Sequence, residues 1–217
     1  MCRSTWVDNG AHVVKTNPII SLLLPTVLAL LTLFTVQGCD LFATREPEPP
    51  VTAGSSFEQP TTPSTVLRNL QSSISFANSL DYRKCFGDTS LGVESFRFQP
   101  SAEGLSVAPG RFVDWTISDE ESYVRTIFSE LLEGTAPSLT LTPSEVVSTP
   151  IGDSVRYTAD YTITFPHTRE GVEREASGRL VFTMKLSTRN EWYITWWQDI
   201  AVNNQPTWSL LKARFSN

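Results

Sequence analysis

The chain has 217 residues, 17 of them Lys or Arg and 23 Asp or Glu, for a net charge of −6. An acidic chain with no basic cluster is not built to bind nucleic acid, nor to adsorb to anionic lipid by charge. Two histidines and three cysteines, none at metal-ligand spacing, and no glycine-rich phosphate loop leave no cofactor or metal motif to read.

Residues 19–36 form the one long apolar run, about 18 residues without a charge. Arg3 and Lys15 precede it. A basic stretch, an apolar stretch and small residues at the end describe a secretory signal. The run ends in Val36-Gln37-Gly38-Cys39. This resembles the lipobox of bacterial lipoproteins, which implies cleavage between Gly38 and Cys39 and a thioether-linked diacylglyceryl group on Cys39. Gln37 departs from the small or hydroxyl residue usual at its place. The competing assignment is an uncleaved membrane-spanning helix, for which Pro25, Ser21, Thr26, Thr32 and Thr35 are poor choices. Lipidation would put the chain in a bacterial cell envelope, anchored to the inner or outer membrane. Asp40 directly after the cysteine resembles a sorting signal that, in some bacteria, favours retention at the inner one.

Export removes Cys2 and lipidation occupies Cys39, so only Cys85 remains. No internal disulfide can form, and stability must come from an apolar core. Residues 39–62 read as the lipidated cysteine and a spacer. Pro47, Pro49, Pro50 and Pro60 punctuate it, with no apolar period. Residues 63–217 read as one domain.

A first helix is expected from 63, capped by Thr62, with Val66, Leu67, Leu70, Ile74 and Ala77 at helical spacing. A break at Asn78-Ser79 leads to a short helix over 80–86. A strand over 95–99 places Phe96 and Phe98 on one face. A third helix is expected from Ser118, which has capping-box spacing to Glu121, with Asp119 and Glu120 at its positive end. Val124, Ile127, Phe128, Leu131 and Leu132 form its apolar face, and Gly134 closes it. A short strand follows at 139–141. Residues 155–165 then alternate cleanly, Val155, Tyr157, Ala159, Tyr161 and Ile163 against Arg156, Thr158, Asp160 and Thr162. Residues 179–186 and 192–197 alternate likewise, and a charged tip over 167–176 carries His167. Strands this close pair antiparallel. Helices on one side of a curved antiparallel sheet make an α+β domain.

That order resembles the nuclear transport factor 2-like, or cystatin-like, fold. The segment Asn78-Ser79-Leu80-Asp81-Tyr82-Arg83-Lys84-Cys85-Phe86 carries the likeness best. The C-terminal pattern Trp192, Ile194, Trp197, Asp199, then Trp208, Leu211, Lys212, is similar to that of uncharacterised lipoproteins with this fold. The resemblance implies a cone with N-terminal helices packed on one face of the sheet, often with a pocket between sheet and helices. Isomerase-like and cyclase-like members set an acid or histidine beside a tyrosine there.

Tyr157, Tyr161, Phe182, Trp192 and Trp196, with Phe165, are the candidate lining of the concave face; core filling is the competing explanation. Of Trp196 and Trp197, adjacent in a strand, one must face away. That one would pack under a helix at 208–215 or offer a contact patch. Asp160 is expected in water, Asp199 as a turn or cap of the tail, and Asp114 near the cone mouth. Two functions follow as expectations: a lipid-anchored, non-catalytic ligand- or protein-binding domain that could also dimerise, or an isomerase- or cyclase-like enzyme with an acidic residue in the cone.

Overall fold

The computed structural model describes residues 57–143 and 152–216. Gly38, Cys39 and the spacer up to residue 56 lie outside the described residues. The last six residues assigned to the spacer, 57–62, lie on the domain. The Asn69 side chain bonds both Glu58 backbone groups (3.0 and 2.7 Å), and the Pro60 carbonyl accepts from Trp192 N (2.8 Å).

Helix α1 (Pro63–Ser75) starts as expected. Thr62 Oγ1 accepts from Thr65 N, with proline in the first turn. It buries Val66, Leu70 and Ile74. It ends in a Schellman turn, Ala77 N to Ile74 O and Asn78 N to Ser73 O, with Ala77 at φ 49° where glycine is usual. A left-handed alanine costs about 1–2 kcal/mol. Asn78 then caps α2 (Ser79–Arg83) by accepting from Asp81 N.

The sheet has five strands in the order β1-β5-β4-β3-β2: Arg97–Gln99, Ser138–Pro143, Ser154–Thr164, Glu175–Leu186 and Trp192–Ile200 for β1 to β5. The α+β class stands, but the sheet is mixed. β1 runs parallel to β5, Phe98 beside Trp197, extending a parallel bridge between Phe86 and Ile194. The reason is connectivity. The chain enters the sheet at Phe86 beside a strand more than a hundred residues later, so no hairpin sets the direction.

Helix α3 (Ala102–Val107), which has no apolar period to announce it, follows β1. Helix α4 is Ile117–Ser129. Its cap lies two residues earlier than expected: the Asp119 carboxylate accepts from Thr116 N (2.8 Å) and Thr116 Oγ1 (2.5 Å). It also ends five residues before Gly134. Leu131 leaves it to bridge His167, which the alternation had put at an exposed tip and which is fully buried. Since a carbonyl can only accept, His167 Nε2 donates to Glu173 O (3.0 Å).

Helix α5 (Trp208–Phe215) is buried on nearly every side. Trp208, Leu211, Lys212 and Phe215 are inside, and Trp208 meets Trp197 edge-on at 4.5 Å.

Candidate functional site

Alternation along β5 would put Trp192, Ile194 and Trp196 on the concave face. The ladder breaks that parity. Thr183 pairs with Trp196 but Met184 pairs with Ile194, leaving Thr195 as the extra residue of a bulge. Beyond it the inward positions are Trp197 and Asp199. Trp197 is fully buried between Phe182 (5.3 Å), Phe98 (5.1 Å) and Trp208. Trp196, expected on the concave face, points to the other side and is half-buried. Tyr157, Tyr161, Phe182 and Trp192 are all in the core, as is Phe165.

The interior has a polar centre. Glu120, in the first turn of α4, and Lys212, on α5, are both fully buried with Nζ to Oε2 at 2.5 Å. The same carboxylate accepts from Trp115 Nε1 (2.7 Å) and Tyr82 Oη (2.6 Å). The Lys212 ammonium also sits 3.6 Å from the Trp197 ring centre and 3.8 Å from that of Phe98, which stabilises a desolvated cation. Burial pulls Lys212 down to about 8, against the opposing pull of Glu120 and Asp199.

A second cluster seats the start of α5. Asp199 Oδ2 accepts from Ser209 N (2.7 Å) and Ser209 Oγ (2.5 Å), while Oδ1 accepts from Tyr161 Oη (2.7 Å). Tyr161 Oη in turn accepts from Trp208 N (2.7 Å). The helix end that Thr207 does not cap is thus satisfied by the sheet. Asp199 does cap the tail, from inside the core. Burial raises its carboxyl above the usual range, against the hydrogen bonds from Ser209 and Tyr161 and the charge of Lys212. Burial also raises Tyr82, Tyr123 and Tyr161.

The Glu120–Lys212 pair is the feature that pattern reading overlooked. Its signal was present. Glu120 recurs with Tyr123, Val124 and Ile127, and Lys212 with Trp208, Leu211 and Phe215, at the spacing of a single helical stripe. Opposite charges on two apolar stripes mark a buried pair.

Asp160 lies at the sheet surface, bonded by Arg179 directly across the ladder (2.7 Å). Asp114 sits at the rim of a cleft of about 380 Å³ with Arg97, Phe98, Phe112, Trp115 and Trp196. A larger cleft, about 520 Å³, is bordered by Phe57, Pro60, Arg83, Lys84, Glu191 and Tyr193. Its charged groups are of both signs and bonded to neighbours: Arg83 to Asp88, Lys84 to Asp81, and Glu191 to Gln59 and Tyr193. Among the described residues no three His, Cys, Asp or Glu side chains converge as metal ligands would.

No protein-family model and no curated protein matches this sequence. Solved structures similar to it include a nuclear transport factor 2-like superfamily protein from Salmonella enterica, 15% identical, TM-score 0.45, covering 65% of this chain and 86% of that one. A conserved protein from Planctomyces limnophilus is 14% identical, TM-score 0.48, over 64% and 92% of the two chains. A ketosteroid isomerase-like protein from Erwinia carotovora atroseptica is 11% identical, TM-score 0.44, over 64% and 93%.

Proposed function

We propose that this chain is a lipid-anchored domain of a bacterial cell envelope. It binds a ligand or protein partner at its surface and performs no chemistry inside the cone. The anchor is the thioether on Cys39, and the spacer links it to the domain.

One observation carries the non-catalytic part. The two carboxylates at the polar centre are each already engaged by three donors, Glu120 by Tyr82, Trp115 and Lys212, and Asp199 by Tyr161 and both Ser209 groups. An ionised carboxylate has roughly four acceptor sites. Both residues are closed off from solvent, so neither has a path to a substrate proton. These groups hold α5 in place. Surface recognition then falls to the clefts beside Tyr193 and Trp196.

Metabolic labelling with an alkyne fatty acid tests the anchor. Wild type incorporates label and Cys39→Ala does not; equal labelling of the two forms removes the membrane from this reading.

A second reading is supported by Asp114. Its carboxylate has no partner among the described residues and borders an aromatic cleft. It is the acid that an isomerase- or cyclase-like activity would use. Such activity in the purified protein, abolished by Asp114→Asn with the fold intact, would favour it over the binding role.

A further inference from the structure

The most exposed apolar side chains of α1 with its cap and of α2 stand four residues apart in the chain. Phe76, at the end of α1, is 59% exposed, and Leu80, on α2, is 63% exposed. The left-handed turn at Ala77 lies directly between the two helices that carry them. Leu80 and Lys84 are one helical turn apart and share a face of the α2 segment. The Lys84 ammonium lies 5.0 Å from the centre of the Phe57 ring. Phe57 and Phe76 also border the same shallow depression. Phe57 thus joins Lys84 and Phe76 into one patch, to which Leu80 is added by its place one turn before Lys84, and the described chain begins at Phe57.

Resting on the lipid-anchored reading above, we propose that this patch is a membrane-docking surface, which seats the domain on the bilayer with Phe76 and Leu80 in the headgroup–acyl boundary. The occupant is argued from the chain's own length. From Cys39 to Phe57 there are about 18 residues, which even fully extended reach no more than roughly 60–65 Å. The patch is thus the part of the domain held nearest the lipid. Two apolar side chains bind a free bilayer weakly, but a tether of this length raises the local concentration of the surface, so weak contact is enough. Charge contributes little. Lys84 is paired with Asp81 and Arg68 with Glu58, so docking depends on apolar insertion and not on anionic lipid.

The full lipidated protein in nanodiscs tests this. Leu80→Cys carries an environment-sensitive fluorophore; Cys85 is buried and stays unlabelled in the folded protein. Docking shifts the emission to shorter wavelength and makes it quenchable by lipids spin-labelled near the headgroup. The quenching is equal in zwitterionic and anionic nanodiscs and is lost on adding Phe76→Asp, a surface change that leaves the fold intact. Mass spectrometry of the amino terminus accompanies each sample. A lipidated chain whose probe remains water-like and unquenched overturns the docking while the anchor stands. An unlipidated terminus overturns the anchor and the docking together. A shifted probe that lipid spin labels do not quench, in a sample with dimeric mass, places a second copy on the patch and overturns the bilayer as its occupant.

Discussion

The Lys212 ammonium lies 2.5 Å from the Glu120 carboxylate, and neither side chain has any exposed surface. A buried pair of this kind is weak evidence of net stability, but breaking it by removing one partner is costly. Glu120→Gln leaves a cation in an aromatic box and is expected to cost about 3–5 kcal/mol. Glu120→Gln combined with Lys212→Met is expected to cost clearly less than Glu120→Gln alone. The amide oxygen still accepts from Trp115, and the Tyr82 hydroxyl can turn to accept from the amide nitrogen. Urea denaturation of the four proteins in this cycle reads the coupling directly. A double variant as unstable as the sum of its parts would show that the two charges act independently.

The same pair shapes the pH dependence. Lys212 is held at about 8 in the folded chain against an ordinary value of 10.5. Between those values the unfolded chain binds the extra proton and the folded one does not, so stability rises with pH across that window. Tyr82, Tyr123 and Tyr161 act in the opposite sense. Their pKa values are raised above 10 in the folded chain, so above about pH 10 the unfolded chain sheds protons first and stability falls. Cys85, whose thiol is raised by burial from an ordinary value of 9.0, adds to this loss from about pH 9, so the urea midpoint should climb from about pH 8, level off near pH 9 and drop above pH 10. In the Glu120→Gln, Lys212→Met double variant the climb disappears and only the drop remains.

The bulge at Thr195 makes neighbouring tryptophans unequal. Trp197→Ala empties the centre of the cone and is expected to cost about 3–5 kcal/mol. Trp196→Ala, on the half-buried outer face, is expected to cost about 1 kcal/mol or less. Thermal melts of the two variants give the comparison. A reversed order would mean that β5 runs without its bulge.

At Gly104, α3 packs directly against α5. A Cβ placed there would stand 2.5 Å from Ser209 Cβ and 3.1 Å from Ser209 C. Ser209 cannot retreat without losing its bonds to Asp199. Gly104→Ala is expected to cost about 1–3 kcal/mol by overpacking. Added Ser209→Ala should not relieve this cost, since the obstructing atoms include Cβ and backbone. Denaturant unfolding of the single and double variants checks both statements.

Cys85 is buried with its thiol pKa raised, chiefly by burial and further by Asp81. It should resist an aromatic disulfide reagent in the native state and react at once in denaturant. Fast native-state reaction, followed by thiolate absorbance, would mean that α2 opens readily.

Much of this protein was determined by its residues in order. Strict alternation from Val155 to Ile163 dictated a strand with one wet face, because side chains in extended backbone alternate and nothing in that stretch interrupts them. Thr62 with Pro63 and the stripe Val66, Leu70, Ile74 dictated α1. The run ending in Gly38-Cys39 carries the proposed address wholly in local chemistry. Tertiary structure decided the rest. The parallel course of β1 depends on a partner about a hundred residues away, which local pattern cannot specify. The inward turn of Trp197 depends on one residue, Thr195, that the ladder with β4 leaves unpaired. Glu120 and Lys212 each lie on an apolar stripe, yet a charge becomes tolerable there only when the fold brings its counter-charge to hydrogen-bonding distance and excludes water from both.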